Sequence, residues 1–537
     1  MNDGQGGDVV YIRALVRPGG TGPAVQGALW TRNDRIQAIG PPDELLRAAG
    51  PTARVVDLAG ATILPGLIDP HCHPAALAYL LTCVDCSQPT TPDIPAIQHA
   101  LAAAEPGPEG WVSGFGFAEY KLAERRLPTR WDLDVAVPDR PCVLYQVSLH
   151  VGVVNSAGLA ALGLDERTPD PPGGRLGRDP EDRLDGVLYE QPIFDVTERN
   201  QARHAALTTE AERIAEQERA ALHLAGLGLT SVTDAACDRA GVAGLRLAGA
   251  AGRLPIRVTA MPWHDGGADF LDDLPVTGSI VDGIRIGAVK LIADGGMSSR
   301  TAAVDEPYET PAGEMGVLVL DPATLADRVR GCADAGYQVG IHAQGDRGIR
   351  AAIDALEPVC RGGNPMRHRI EHGGLFPAAL RRRAGAAGIV VVSQPPFLSV
   401  LGDGFLEAFG PERSADLYPF ASLRDEGITV AGSSDAPVVT ADPRVGIRDA
   451  VLRRTAGGSM VAAHEAVTAA EALAMYTSRA AHADHLDGEL GTLEVGRLAD
   501  LTIVDRDPLT IDPEAIADLR ILRTVVGGRT VFEATAD

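Results

Sequence analysis

The sequence of 537 residues predicts a protein of the α/β class. Eight short apolar stretches of strand length alternate with alanine-rich stretches of helical length through the middle of the chain. Strands that are buried on both faces read as continuous apolar runs, and their alternation with helices predicts a parallel sheet. The 61 glycines and 38 prolines, with only 4% aromatic residues, supply many turns and disfavour a helical bundle. Eight strand–helix units predict a (β/α)8 barrel of the TIM type.

Each predicted barrel strand lies between turn-forming or charged residues. The eight strands are predicted at Ala61–Ile68, Cys142–Val147, Leu229–Thr233, Ile284–Leu291, Gln338–His342, His368–Glu371, Ile389–Gln394 and Thr429–Gly432. At about 31 residues per unit, three units need only about 93 residues. Lys290 follows His73 by 217 residues, however. The excess predicts a long insertion early in the barrel, roughly within residues 75–225.

Both ends of the chain have a different pattern. The first 65 residues read as short strands, such as Val9–Val16, separated by turn residues, and similar runs return near the other end, as at Ile521–Val526. Neither end is long enough to bury a core alone. Because the termini of a domain often lie close together, we expect residues 1–65 and 488–537 to form one small β-sandwich domain beside a barrel of residues 66–487.

The charge and the cysteines restrict the possible partners and compartment. Lysine and arginine total 48 against 72 aspartates and glutamates, and the resulting net charge of −24 repels phosphate backbones and anionic lipid surfaces. The seven cysteines are too scattered for a disulfide scaffold. No export signal precedes the first strand, and no apolar run reaches the ~18 residues of a membrane span. We expect a cytoplasmic protein with no nucleic-acid or membrane partner, and a homodimer as the commonest oligomeric state.

Polar residues follow several of the predicted strands. His71 and His73 come after the first strand, and side chains at i and i+2 of an extended chain point the same way. Four more polar residues end later apolar runs: Lys290, His342, His372 and Asp435. Each alone is more often a core, cap or surface residue. Barrel enzymes, however, assemble their sites from the carboxyl ends of several strands, and imidazole is the commonest metal ligand. The joint pattern therefore predicts a metal site.

The intervals between these residues agree with the barrel. Lys290, His342, His372 and Asp435 are separated in turn by 52, 30 and 63 residues. At about 31 residues per unit, these intervals correspond to one, one and two strand–helix units. The four residues are thus expected after strands four, five, six and eight.

The complete set of residues resembles the metal site of the amidohydrolase superfamily of metal-dependent hydrolases. A closer similarity to its subgroup of N-substituted formamide deformylases rests on several motifs. These motifs are Val289–Gly296, Ser299–Ala302, His342–Arg347, Arg369–His372, Gly432–Val438, Gly491–Leu493 and Gly496–Leu501. The resemblance covers nearly the whole chain and is specific for fold and metal site, but not for substrate.

The resemblance implies two metal ions per chain. The histidines of the His-x-His pair would bind one ion, and His342 and His372 would bind the other. Asp435 would contact the first ion and the catalytic water. Lys290 would bridge both ions as a carbamate, since a protonated ammonium group cannot ligate a cation. Nitrogen and oxygen donors with an open position suit Zn²⁺, although Mn²⁺, Fe²⁺ and Co²⁺ are not excluded.

The resemblance also implies hydrolysis of a small amide-type substrate, such as an N-substituted formamide or another N-acyl amine. Asp435 would act as general base and then general acid, and Lys290 and His342 would complete the catalytic set. Opening of a cyclic amide or imide, deamination of a heterocycle and ester hydrolysis are alternatives on the same scaffold. A catalytically silent small-molecule binding protein is a further alternative, but every metal-site position is filled.

Five residues are predicted to contact the substrate. His150 resembles a family Gly-His element, with leucine in place of the glycine. Asp294 and Arg300 lie in the loop directly after the predicted bridging lysine. Gln394 and Phe397 follow the seventh predicted strand, where plain packing is an equally good interpretation.

Overall fold

The computed structural model describes residues 7–19, 23–87, 90–147, 149–171, 174–264, 274–310 and 312–535. Its strands are β1 Asp8–Val16, β2 Val25–Arg32, β3 Arg35–Gly40, β4 Arg54–Asp57, β5 Thr62–Pro65, β6 Leu67–Cys72, β7 Val84–Asp85, β8 Val112–Phe117, β9 Cys142–Gln146, β10 Val151–Val154, β11 Gly174–Arg178, β12 Leu184–Glu190, β13 Leu229–Cys237, β14 Arg257–Pro262, β15 Ile280–Val281, β16 Ile284–Ile286, β17 Val289–Ile292, β18 Val339–Ala343, β19 Arg369–His372, β20 Val390–Ser393, β21 Val430–Gly432, β22 Leu501–Val504, β23 Ile521–Val526 and β24 Arg529–Glu533. The outermost parts of the predicted small domain, residues 1–6 and 536–537, lie outside the described residues.

The α-helices are mostly short and connect these strands. They are Pro42–Ala49, Pro74–Leu80, Ile94–Ala102, Arg130–Ala136, Ser156–Leu162, Gln191–Leu207, Glu210–Gly226, Arg239–Ala250, Pro322–Asp334, Asp346–Leu356, Ala378–Ala387, Pro396–Arg413, Phe420–Asp425, Pro443–Leu452, Ala469–Met475 and Ser478–Ala483. Within the described ranges, no helix combines the length and apolar character that a bilayer span requires.

Parallel strands form the centre of the fold. β6, β13, β14 and β16 pair in parallel, and β15 adds to β16 as an antiparallel edge strand. β17 to β21 form a second sheet that is parallel throughout. Apart from the edge strand β15, these strands are largely buried, which accounts for their continuous apolar sequence. The predicted α/β class is confirmed.

The two parallel sheets meet at both edges. At one edge, Trp263 forms a parallel bridge with Lys290. At the other, the Asp435 amide donates a hydrogen bond to the His71 carbonyl at 2.8 Å. Because the strands are parallel, their carboxyl ends face the same side, and residues that follow different strands come together there.

Several strand assignments from the sequence need correction. Ala61–Ile68, predicted as one barrel strand, is divided at Gly66 into β5, which pairs with β22, and β6, which pairs with β13. Cys142–Val147, predicted as a barrel strand, corresponds to β9, which pairs with β8 and β10 in a separate sheet. Its five residues are fully buried, so its sequence is as apolar as that of a barrel strand. The neighbour of β13 is instead β14, which the sequence analysis missed because Arg257, Thr259 and Pro262 interrupt its apolar pattern.

The chain between β6 and β13 forms a large insertion. It contains a third sheet in the order β11-β12-β10-β9-β8-β7, with its own apolar core around Phe117, Leu133 and Leu144. Helices Gln191–Leu207 and Glu210–Gly226 then lead back to β13. Only two residues separate these helices, so the second follows the first after one sharp turn.

Strands from both ends of the chain share a fourth sheet, in the order β24-β23-β22-β5-β1-β2-β3, with β4 paired to β1. β5 pairs antiparallel with β22 and is joined to β6 by Gly66 alone. A Cβ atom at Gly66 would lie 2.2 Å from the Thr230 hydroxyl oxygen, so only glycine fits this junction. The fourth sheet therefore adjoins the amino end of β6, opposite to the end that carries His71.

Candidate metal centre and active site

A cavity of about 230 Å³ lies at the carboxyl ends of the parallel strands. Its lining includes all six predicted metal ligands: His71, His73, Lys290, His342, His372 and Asp435. The insertion contributes another part of its wall, including Phe194 and His204. Residues that are distant in sequence are thus brought to one cavity by the parallel topology.

His71, His73 and Asp435 form a compact group at this cavity. One potential ligand atom from each lies within 4.8 Å of the others. Asp435 Oδ1 is 2.9 Å from His73 Nε2 and 3.2 Å from His71 Nε2. Asp435 has a φ of 61°, a left-handed conformation that is uncommon outside glycine and that occurs at functional sites. The backbone after β21 thus turns this carboxylate toward the two histidines.

His342 and His372 lie beside this group at the ends of β18 and β19. Their ring centroids are 4.3 Å apart, and the His372 centroid is 4.8 Å from that of His71. Nε2 of His342 donates to the Gly295 carbonyl at 3.1 Å. Nδ1 of His372 is 2.8 Å from the Gln394 side-chain oxygen, to which it donates. Each ring is therefore held through one nitrogen, and the other nitrogen is its potential metal ligand.

The unsatisfied atoms fit a metal ion. Within the described part of the chain, Nε2 of His71 and Nε2 of His372 are buried and make no hydrogen bond, although Asp435 Oδ1 is near the first. Burial lowers the pKa of His342 and of His372 well below the ordinary value, so both imidazoles are neutral. Neutral imidazoles that donate their single N–H to an acceptor and present the other ring nitrogen are typical of metal ligands.

The two charged members of the site also have displaced pKa values. Burial lowers the pKa of Lys290 to about 8, although Glu371 and Asp435 oppose this change. Burial would raise the pKa of Asp435, but the imidazoles of His71 and His73 outweigh it and hold that pKa well below its usual value. The lysine therefore loses its proton around pH 8, well below the range of an exposed lysine, and the aspartate is ionised.

A chain of buried ionic groups supports His71, and the sequence analysis assigned it no role. Glu371 Oε2 is 2.5 Å from His71 Nδ1, and Glu371 Oε1 accepts from Arg369 at 2.6 Å. Arg369 also donates to Asp484 at 2.7 Å. Burial would raise the pKa of Glu371, but Arg369 and His71 lower it to about 2. The ionised Glu371 therefore fixes the His71 ring with Nε2 directed away from it.

His150, predicted to contact the substrate, lines the cavity from the insertion. It lies between β9 and β10, so the strand that it follows, predicted as the second barrel strand, belongs to the sheet of the insertion. Its ring centroid is 6.0 Å from that of His342, and its Nδ1 is 2.7 Å from Glu190 Oε2. Burial would lower the pKa of His150, but Glu190 outweighs this and raises it.

Asp294 and Arg300, also predicted to contact the substrate, are absent from the described cavity wall. The buried Asp294 carboxylate accepts hydrogen bonds from the backbone amides of Ala303, Gln344 and Gly345 at 2.8–2.9 Å. Arg300 donates to backbone carbonyls, including that of Gly404 at 2.8 Å. These two side chains connect loops by hydrogen bonds to backbone groups. Without them, backbone groups buried between the strand ends would have no partner.

Gln394 and Phe397 support a histidine and do not line the described cavity. Gln394 accepts from His372 and donates to the Ser433 hydroxyl at 3.0 Å. The Phe397 ring stacks on the His372 ring, with centroids 6.4 Å apart and an angle of 18° between the planes. Both residues thus act on the orientation of His372.

Several cavity residues were not identified from the sequence. They include Tyr79, Phe194, His204, Arg213, Asp234 and Trp263. Most belong to the insertion or to helices, where the residues that face the cavity have no local motif. Glu371 did have a signal, because two charged residues within the four-residue buried strand β19 require a buried partner.

Comparisons with known proteins agree with this geometry. A model described as amidohydrolase family matches residues 54–532. The chain is 31% identical to N-substituted formamide deformylase of Arthrobacter pascens, over 98% of this chain and 99% of that protein. It is similar to a metal-dependent hydrolase structure from Pyrococcus furiosus, with TM-score 0.74 and 28% identity over 94% of this chain and 100% of that one. A second such structure, from Pyrococcus horikoshii OT3, has TM-score 0.77 and 25% identity over 94% and 99% of the two chains.

Proposed function

The chain belongs to the amidohydrolase family and is a hydrolase of carbon–nitrogen bonds, and we propose that its substrate is an N-substituted formamide or a related N-acyl amine. The main support is the meeting of five imidazole and carboxylate side chains with Lys290 at one cavity. The similarity to a formamide deformylase over almost the entire chain supports this choice of amide.

We further propose that the two parallel sheets form one closed (β/α)8 barrel, with β16 and β17 as a single interrupted strand. The bridge between Trp263 and Lys290 and the bond between Asp435 and His71 support closure at the two edges. In this division, residues 66–487 form the barrel with its insertion, and residues 1–65 and 488–537 form the small composite β-sandwich domain.

Two divalent metal ions, proposed to be Zn²⁺, would be held by this donor set. His71, His73 and Asp435 would bind one ion, and the nitrogens of His342 and His372 that face away from their acceptors would bind the other. Lys290 is proposed to act as a ligand to both ions after its neutral amine adds carbon dioxide and releases a proton to give a carbamate, and its lowered pKa favours that neutral amine. Such ions lower the pKa of water and polarise a carbonyl oxygen.

Asp435 is proposed to move the proton during hydrolysis. Its ionised carboxylate would accept a proton from the attacking water at one oxygen, and would then donate that proton to the departing nitrogen. The nearby imidazoles of His71 and His73 keep the carboxylate ionised before the reaction. The proton lost by water thus becomes the proton that lets the amine leave.

His150 is proposed to bind the substrate carbonyl oxygen. A donor placed where negative charge develops contributes strongly to acyl transfer. The raised pKa of His150 favours the protonated ring, in which both nitrogens are donors. One nitrogen then donates to Glu190, and the other would donate to the substrate carbonyl oxygen.

We also propose a cytoplasmic location and a homodimer. The seven cysteines, which all fall within the described residues, form no disulfide, and this agrees with a reducing compartment. The dimer rests only on the prevalence of that state among soluble oligomers.

A hydrolysis screen tests the proposed function. Protein loaded with Zn²⁺ would be incubated with N-substituted formamides, longer N-acyl amines, a cyclic imide and an aryl ester, and the released amine or acid measured. We expect the formamides and N-acyl amines to be hydrolysed fastest, with about two metal ions per chain by elemental analysis. His73→Ala is the matched control and should lose both metal and turnover. A clear preference for the imide or the ester would replace the proposed substrate class.

A further inference from the structure

We propose that Glu190 is a positioning residue that aligns His150 at the reacting carbonyl, so that the insertion supplies a working part of the reaction centre. This inference rests on the proposed function of hydrolysis at a carbonyl carbon. It assigns a role to a residue that lies in neither the His-x-His motif nor any other metal-ligand position.

The backbone brings His150 and Glu190 together. β10 and β12 are antiparallel neighbours, and Val151 lies opposite Tyr189 in their register. One step beyond this pair, the Glu190 amide donates to the His150 carbonyl at 2.9 Å. The two side chains are thus cross-strand partners at the end of a ladder, and His150 Nδ1 meets Glu190 Oε2 at 2.7 Å.

The second oxygen of Glu190 is fixed by the barrel. Glu190 Oε1 accepts from the Ser299 hydroxyl at 3.3 Å and from the Thr301 hydroxyl. Ser299 and Thr301 lie in the loop that follows β17, the strand that carries Lys290. Only 2% of the Glu190 surface is exposed. The carboxylate therefore joins the insertion to the barrel at the point where both reach the cavity.

The backbone at Glu190 is strained. Its φ of 56° and ψ of −121° lie in a region that L-residues rarely adopt, at the turn from β12 into helix Gln191–Leu207. Such strain persists only where the surrounding structure holds it, and it occurs preferentially at functional sites. Glycine would adopt this backbone conformation without strain. The strain at residue 190 therefore accompanies the contacts that the Glu190 side chain makes.

The His150 ring is held in place from several directions. Glu190 Oε2 accepts from His150 Nδ1. The Phe194 ring makes an edge contact with the His150 ring, with centroids 5.3 Å apart. The ring lines the cavity beside His342. A carboxylate that accepts a hydrogen bond from one imidazole nitrogen fixes the direction of the ring. Glu190 therefore acts on the substrate only through His150.

A double-mutant cycle tests this relation. His150→Ala should lower kcat by about 10²–10³-fold, the usual effect of removing one donor to an oxyanion. Glu190→Gln, which keeps the size of the side chain, should lower kcat by a similar order with little change in KM. The double variant should be no slower than His150→Ala, because both changes remove one function. Losses that multiply in the double variant would overturn the proposal.

Two further measurements separate positioning from general destabilisation. Metal content and melting temperature of Glu190→Gln should stay near those of the wild type, and Glu190→Asp should recover part of kcat. In protein labelled with ¹⁵N-histidine, the ring signals that vanish in His150→Ala should shift in Glu190→Gln. Unchanged His150 signals would overturn the proposal without reference to any substrate. Asp195→Asn, on the adjoining helix and outside the described cavity wall, is the matched control.

The proposed function and this inference fail differently. If an ester or imide proves to be the substrate, the formamide proposal falls, and the same cycle can be run on that substrate. If Glu190→Gln does not accumulate as folded protein, Thr301→Val removes a single hydroxyl from the Glu190 carboxylate. That variant should lower kcat at constant metal content, and a wild-type kcat in it would count against the proposal.

Discussion

Replacing Glu371 with glutamine would remove one negative charge from the buried chain that supports His71. The change keeps the size of the side chain but leaves Arg369 with only one carboxylate partner, Asp484 at 2.7 Å. Glu371 has a pKa lowered from 4.5 to about 2, and at about 1.4 kcal/mol per pKa unit this corresponds to about 3–4 kcal/mol of stability, which is present above pH 4.5 and lost as the pH falls toward 2. Breaking a buried pair typically costs about 3–5 kcal/mol, and the remaining partner of Arg369 favours the lower end.

This loss has two measurable consequences. An unfolding entropy of about 2.1 cal/mol/K per residue, applied to 537 residues, converts about 3 kcal/mol into a melting temperature lower by about 3 °C. Metal affinity should fall by about 10–100-fold, because Glu371 orients His71, a proposed metal ligand. Differential scanning calorimetry measures the first consequence, and metal retained during titration with a chelator measures the second.

The control for Glu371→Gln is Glu357→Gln. Glu357 pairs with Arg383 at 2.7 Å, but 38% of its side chain is exposed, so its removal should cost at most about 1 kcal/mol. Its chelator titration should match that of the wild type. If Glu371→Gln retained both the wild-type melting temperature and the wild-type chelator midpoint, the assignment of Glu371 as the support of His71 would be refuted.

Three further predictions concern other groups at the cavity. Asp435→Asn should retain metal but lose about 10²–10⁴-fold in kcat, and steady-state kinetics showing full activity would exclude its proton-transfer role. Lys290→Ala should lose metal and activity, with partial recovery on addition of short carboxylic acids; an unaffected variant would remove Lys290 from the site. The neighbouring carboxylates of Glu109 and Glu216 raise the pKa of His204 to about 9, so its stabilising charge is present below about 6.5 and is lost as the pH rises through 9. The melting temperature of the wild type should therefore fall between pH 8 and 10 more steeply than that of His204→Gln, and equal slopes would contradict this.

The sequence predicted the order of the parallel strands through two errors that offset each other. It counted Cys142–Val147 as the second barrel strand and missed β14. Lys290 nevertheless lies on the fourth parallel strand when β16 and β17 are counted as one. A buried strand in an insertion and a buried strand in a barrel have the same apolar composition, so periodicity alone does not distinguish them.

For the site, too, the sequence predicts what depends on neighbouring residues and not what depends on residues far apart in the chain. His71 and His73 could be placed together because the alternation of side chains along a strand is a local rule. The partner of His71, Glu371, is 300 residues away in sequence, and no local rule relates the two. For Asp294 the local rule is misleading. Its position after a strand predicts a cavity residue, but its carboxylate accepts hydrogen bonds from backbone amides.

The pairing of strands from the two chain ends has a consequence for biosynthesis. β5 is among the first strands to leave the ribosome, but its partner β22 is made near the end of translation. Likewise, 362 residues separate His73 from Asp435, an interval of roughly 20–70 s at typical rates of chain elongation. The proposed metal-binding set is therefore incomplete on the nascent chain until most of the chain has been made. Metal binding is therefore expected late in the synthesis of each molecule. Until β22 has been made, β5 lacks this partner and has an unpaired edge.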